Sequence, residues 1–312
     1  KNMKKRLYTL ATLALLPLLL FAQPQLQLES ADGFLKEGRR LFNQNDYQAA
    51  ETYLEKWQDL TKQQNGTEAR DEEVEYMLLV IDAEANLYAA AGAISEYQAR
   101  YPYSIYTNRL NSLMAASYYE QCEYENAVYW YEKTDIEKLT MSDVLRATYF
   151  YMVSLLKTDN LDAAKQQLAI LKMIDNGSYS GEIVFYEAYV DYLQENYEKA
   201  KEGFSISRGL TYFANESNLY LAEIELIQGN YTVAADIAAL LLESDASEAL
   251  LLESERIMGV SLFMLEQYED AILFLSSYVM SSEQVERQEL YCLGVSCYKM
   301  GDNEGAIEYL KR

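Results

Sequence analysis

From residue 31 onward, small, apolar and polar positions recur in one skeleton, most legible at Ala115 to Tyr131 (AASYYEQCEYENAVYWY). A small residue, Ala115, is followed by the aromatics Tyr118 and Tyr124, then by Ala127 and Tyr131. Gly259, Leu262, Tyr268, Ala271 and Leu275 keep the same spacing, as do Gly294, Cys297, Asn303, Ala306 and Leu310. So, near the start, do Gly38, Leu41, Tyr47, Ala50 and Leu54. Looser copies centre on Leu161 with Ala164, Tyr197 with Ala200, and Tyr231 with Ala234. From Tyr124 the anchors follow at intervals of 37, 36, 34, 37 and 35 residues, a period that marks stacked supersecondary units.

The residues before each anchor have helical periodicity, and in five copies the one just before it is a good N-cap: Asp46, Asn160, Asn196, Asn230 and Asp302. Each unit therefore reads as helix, short turn, helix. Gly229 and Gly301 stand where a first helix should end and suit a left-handed C-cap. The recurrent alanine, three residues into the second helix, lets the first helix approach closely. A long side chain there would splay the pair, at about 1 to 3 kcal/mol.

This pattern resembles the tetratricopeptide repeat, which carries a small residue and an aromatic on its first helix and an alanine and an aromatic on its second. The resemblance covers about residues 31–312 in seven readable copies. Tyr47 and Tyr124 are 77 residues apart, about two periods, so an eighth, degenerate copy is expected at about 71–102. The family's opening Trp is missing from every copy, and its closing Pro occurs once, as Pro102. The resemblance implies an all-α, right-handed solenoid of about eight helix-turn-helix repeats, in one continuous domain whose first helices line an inner groove. The last copy ends at Arg312 without a polar capping helix, so the expectation is that the polypeptide continues or that another surface covers this end.

At the other end, Lys4, Lys5 and Arg6 precede an apolar run from Leu7 to Ala22 that Pro17 interrupts. The run is shorter than the roughly 20 residues of a spanning helix and reads as a signal peptide, residues 1–22, followed by a linker over 23–30. No Cys follows it, so a bacterial lipoprotein anchor is excluded. A leader ending in Phe21-Ala22-Gln23 resembles those of exported repeat proteins from Bacteroidetes-like Gram-negative bacteria. That resemblance implies the periplasm, with an outer-membrane-associated role among the expectations. The polar stretch Leu60 to Glu73 is the best candidate for a longer loop.

Charge and chemistry then narrow the function. The net charge is −23, and −27 once the four basic residues of the leader are removed. Phosphate backbones are repelled, so nucleic acid is a poor partner, whereas a basic or neutral protein segment gains mostly in its rate of encounter. The absence of histidine removes Ser-His-Asp and Cys-His catalysis and His-containing zinc sites. The acids are spread along amphipathic helices, and Asp71, Glu72 and Glu73 lack the alternating ligands of a calcium loop; they fit the acidic first turn of a helix. No glycine-rich phosphate loop occurs. No enzymatic activity, cofactor or metal is expected. Cys292 and Cys297 are wrongly spaced for an unstrained disulfide on one predicted helix, and Cys122 and Cys297 read as small buried side chains.

The useful excess is tyrosine, 29 of 312 residues. Tyr47, Tyr118, Tyr124, Tyr131, Tyr197, Tyr231 and Tyr268 belong to the skeleton and are assigned to packing. By the resemblance, the slots one and four residues after the small residue, and three before it, face the groove. They hold Phe42, Tyr119, Tyr149, Phe185, Tyr189, Tyr192, Phe263, Tyr291 and Tyr298, with Arg39, Arg146, Glu223 and Arg256 on or beside the same face. Rigid aromatics flanked by charge serve as anchors for protein partners; packing against the next repeat is the alternative for each. These readings lead to a non-enzymatic scaffold that binds a protein or peptide segment. The sensor ectodomain of a longer signalling protein is the second arrangement. The lysine and asparagine clamp with which some repeat proteins hold acidic chaperone termini is not present in these slots.

Overall fold

The computed structural model describes residues 30–65 and 71–312. The expected leader and nearly all of the linker lie outside the described residues. Sixteen α-helices, short turns and three 3₁₀ turns account for the described chain, which contains no strand. It divides into two compact units, residues 1–160 and 161–312. The first contains α1 (Ala31–Asn43), α2 (Tyr47–Asn65), α3 (Glu72–Ala85), α4 (Ala90–Arg100), α5 (Thr107–Glu120), α6 (Tyr124–Glu132) and α7 (Met141–Lys157). The second contains α8 (Leu161–Ile174), α9 (Ser180–Leu193), α10 (Tyr197–Ser207), α11 (Ala214–Ile227), α12 (Tyr231–Leu242), α13 (Glu248–Met264), α14 (Tyr268–Ser281), α15 (Arg287–Lys299) and α16 (Asn303–Lys311).

One backbone device makes the turn in all seven readable copies. The residue two before the anchor has positive φ: Asn45, Cys122, Asp159, Glu195, Gly229, Glu266 and Gly301. The next residue then donates its N–H to a carbonyl five positions back, as Asn160 does to Leu155 (2.8 Å), Asn230 to Glu225 (2.8 Å) and Asp302 to Cys297 (2.9 Å). This is a Schellman closure, which satisfies carbonyls left open at a helix end. Five of the seven left-handed residues are not glycine, so the turn is enforced by packing on both sides.

The expected N-caps divide. Asp302 accepts from the Gly305 N–H (2.9 Å) and Asp46 from the Ala49 N–H (3.4 Å). Asn196 and Asn230 make no such cap; their side-chain amides donate back to Asp191 (3.2 Å) and Glu225 (2.7 Å), on the helices they follow. A carboxylate five residues upstream outcompetes the backbone for these amides. The loop expected over Leu60 to Glu73 is also shorter: α2 continues to Asn65, and Asp71 caps α3 by accepting from the Glu73 and Val74 N–H groups.

Within each pair the small-residue rule has a measurable form. All seven second-helix alanines, Ala50 to Ala306, are buried. A Cβ placed on Gly38, Gly259 or Gly294 would lie 2.9, 2.6 and 2.7 Å from Leu54, Leu275 and Leu310 respectively, so these helices touch at the glycine itself. The gap between Tyr47 and Tyr124 is filled by α3 and α4, which are joined by a 3₁₀ turn, Leu87–Ala89, with no left-handed residue. In its place Ser117 Oγ accepts from the Ala91 N–H (3.2 Å) and Gln121 Nε2 donates to the Tyr88 carbonyl (2.9 Å).

Candidate functional site

In the first unit the first helices of the copies are α1, α3, α5 and α7. Phe42 is buried rather than presented: its ring meets Tyr47 (5.6 Å between centroids) and the edge of Tyr76 (5.9 Å), and the Arg109 guanidinium lies 5.5 Å from its centroid. Tyr119 stacks on Phe150 at 4.0 Å and 11°. Burial, helped by Tyr149 beside it, pushes the Tyr119 hydroxyl far above its ordinary pKa. Tyr149, half-buried, packs its ring on Phe150 at 5.8 Å.

The charges on this face bind helix to helix. Arg39 of α1 forks onto Glu73 of α3, both contacts 2.6 Å. Arg146 of α7 forks onto Glu84 of α3 (2.5 and 2.9 Å) and reaches Asp143 (3.0 Å). Between them Arg109 of α5 lies 3.1 Å from Asp143 and donates to the Tyr47 hydroxyl (2.9 Å). Burial works against the Arg109 charge, but Tyr76 and Asp143 outweigh it and hold its pKa above the ordinary value. The four partners Glu84, Asp143, Arg109 and Arg146 balance in charge, and deleting one would leave an opposite charge poorly solvated, at about 3 to 5 kcal/mol for a fully buried pair.

In the second unit the corresponding helices are α9, α11, α13 and α15. Phe185 belongs to the core, stacked on Phe213 at 4.2 Å and 1°. Tyr189 and Tyr192 are half-buried, and Tyr220 of α11 sits 5.2 Å from each while stacking on Phe204 at 5.0 Å. Burial pushes Tyr192 up to about 12, with the nearby Glu223 adding to the effect. Phe263 meets Tyr291 edge-on at 6.2 Å. Tyr291 and Tyr298 are the two most open of the nine predicted positions, 57% and 64% exposed. Arg256 of α13 bonds to Glu223 of α11 (2.5 Å) and to Glu253 (2.7 Å), and Glu289 of α15 lies 3.9 Å away. Burial disfavours this guanidinium, yet Glu223 and Glu253 more than compensate and raise its pKa.

Several partners escaped the sequence reading: Tyr76, Phe150 and Tyr220 among the rings, Glu84, Arg109, Asp143, Glu253 and Glu289 among the charges. Phe150 and Tyr220 share a register, two residues before the small-residue slot of their own helix (Met152 and Ala222), and each covers an aromatic of the preceding first helix. That register is visible in the sequence once the slot is known. Cys122 was expected to be buried; the structure places it exposed, at the left-handed residue of its turn. Cys292 and Cys297 are buried and unpaired. Among the described residues no helix is long and apolar enough to cross a membrane.

No family model matches the sequence, and no curated protein does. Solved structures do. A tetratricopeptide repeat protein from Parabacteroides merdae superposes with a TM-score of 0.52 at 15% identity, over 76% of this chain and 91% of that one. PilF of Pseudomonas aeruginosa gives 0.50 at 13% identity, over 65% and 88%. A signal-transduction ATPase with numerous domains from Pyrococcus horikoshii, described as having a tetratricopeptide repeat sensor, gives 0.51 at 14% identity, over 92% of this chain and 47% of that one. With the periodic helix pairs, their repeated left-handed turns and buried alanines, these likenesses establish that the chain has the tetratricopeptide-repeat fold.

Proposed function

We propose that this chain is a non-catalytic scaffold that holds an extended or helical segment of a partner protein against the aromatic faces of its first helices. It would act in the periplasm of a Gram-negative bacterium, in an outer-membrane-associated assembly. The observation that carries the reading is the set Tyr189, Tyr192, Phe263, Tyr291 and Tyr298. Ring contacts hold Tyr189, Tyr192, Phe263 and Tyr291 in place, and all five side chains are at least partly open to solvent. Aromatics already fixed by packing lose little entropy on binding, which is why such residues concentrate binding energy. The net charge favours a basic or neutral segment and disfavours nucleic acid. The location rests on the leader sequence.

The test is the double variant Tyr189→Ala with Tyr192→Ala. It should keep its helical circular dichroism and lose the proteins that co-purify with the parent chain; retention of the same partners would rule out this face. The likeness to the sensor-bearing ATPase favours a second reading, in which the repeats form the sensor of a longer signalling protein. A native species much heavier than 35.9 kDa and retained in the membrane would select that reading.

A further inference from the structure

The scaffold reading leaves one group on the second unit unexplained. Arg256 is surrounded by three carboxylates, Glu223, Glu253 and Glu289, so the cluster carries three negative charges against one positive. The corresponding network of the first unit, two arginines with Glu84 and Asp143, is balanced. Glu289 is the sharpest element. It is 3% exposed, one oxygen makes only the 3.9 Å approach to Arg256 Nη1, and its Oε2 is buried with no hydrogen-bond partner. Buried carboxylates are ordinarily paired and hydrogen-bonded, because leaving one unmet is costly. Evolution could have removed the deficit by a second arginine, as in the first unit, or by an apolar residue at 289. Glu223, Glu253 and Arg256 keep 20%, 42% and 19% of their side-chain surface open, so the cluster is reachable from solvent. It is electrostatically continuous with the aromatic face, since Glu223 and Arg256 both act on the Tyr192 hydroxyl.

We infer that the carboxylates around Arg256 form a subsite for a cationic side chain, a lysine or arginine, of the segment held on this face. The inference rests on the scaffold reading for the segment, but the subsite itself is defined by its own geometry. A cationic group seated against the open edges of Glu223 and Glu253 supplies donors for their outer lone pairs and the positive charge the cluster lacks, offsetting the buried Glu289 at short range. Tyr192, at one end of the cluster, offers a ring to the aliphatic stem.

The probe is Nα-acetyl-lysine methylamide, with the uncharged isostere Nα-acetyl-norleucine methylamide beside it, titrated at low salt into the folded chain and followed by backbone amide NMR shifts. The lysine derivative should produce saturable shifts confined to α11, α13 and the first turn of α15, and the norleucine derivative none. Arginine in place of lysine should do the same. Glu223→Gln or Glu253→Gln, both at partly open positions, should weaken the lysine derivative by roughly three- to ten-fold. The charge-matched pair Glu202→Gln with Glu269→Gln, on exposed second-helix positions, should leave it unchanged. Shifts that are diffuse, shared with norleucine, or weakened equally by the outer pair overturn the subsite. If the probe fails to bind while Tyr189→Ala with Tyr192→Ala still abolishes partner capture, the subsite is wrong and the scaffold stands. If the probe binds and partner capture is unaffected by the tyrosines, the reverse holds.

Discussion

Gly259 and Gly294 occupy equivalent slots, yet alanine should have different effects at the two. At 259 a Cβ would lie 2.6 Å from Leu275 Cγ and 3.1 Å from the Leu275 backbone nitrogen; at 294 it would lie 2.7 Å from Leu310 Cγ and 3.3 Å from that residue's nitrogen. Leu275 is fully buried, whereas Leu310 is 50% exposed. Either substitution gains about 1 kcal/mol of helix propensity. At 259 the leucine has nowhere to turn and the helices must separate, at about 1 to 3 kcal/mol, so Gly259→Ala should be net destabilising by about 0 to 2 kcal/mol. At 294 Leu310 can rotate toward solvent, and Gly294→Ala should range from neutral to about 1 kcal/mol stabilising. Urea unfolding followed by circular dichroism compares the variants. Amide hydrogen exchange on α13 and α15 separates local from global effects, because repeat arrays can unfold in parts. If Gly259→Ala is as stable as Gly294→Ala, the close approach of helices at the glycine is not what limits this slot.

Other outcomes follow from the same structure. Glu195 and Glu266 hold left-handed backbone (φ 60° and 61°), so Glu195→Gly and Glu266→Gly should each raise the urea midpoint, by about 0.5 to 1 kcal/mol of stability. Gly301→Ala should lower it, since nothing crowds that site and only its φ of 86° opposes a side chain. Ellman's reagent should label one thiol of the native chain, Cys122, and all three after denaturation, because Cys292 is buried with its pKa pushed up to about 11. Tyr97 and Tyr192 are both pushed up to about 12 by burial. A raised folded-state pKa means stability that is complete below the unfolded value near 10 and lost as pH rises toward 12. Helicity should therefore fall between about pH 10 and 12 in step with tyrosinate absorbance, and a loss of helicity preceding any ionisation would contradict this.

The helix pairs were legible because their determinants are local. An alanine at a fixed slot, a small residue nine positions before the anchor and an aromatic at the anchor specify the close approach and the turn. The left-handed turn was legible only at Gly229 and Gly301, since Asn45, Cys122, Asp159, Glu195 and Glu266 adopt it under tertiary packing, which no single-residue preference announces. The copy between Tyr47 and Tyr124 was readable only as a length, because its 3₁₀ turn has no skeleton to match. Of the site, the sequence supplied faces but not partners. Arg39 and Arg146 were placed, while Glu73 and Glu84 lie on α3, where no register was available; Arg39–Glu73 and Arg146–Glu84 join residues 34 and 62 positions apart. Phe42 and Phe185 were placed on the binding face and belong to the core, because Tyr76 of α3 and Phe213, in the 3₁₀ turn before α11, cover their rings.

The most direct test of the scaffold account is photocrosslinking in the producing cell, with p-benzoylphenylalanine in place of Tyr192 or Tyr298 on the first helices and of Leu240 or Leu273 on the second. Leu240 and Leu273 are 63% and 65% exposed, so accessibility does not favour the first pair. The account predicts discrete protein adducts from positions 192 and 298 and none from 240 and 273. Adducts of equal yield from the second helices, or none from the first, would contradict it.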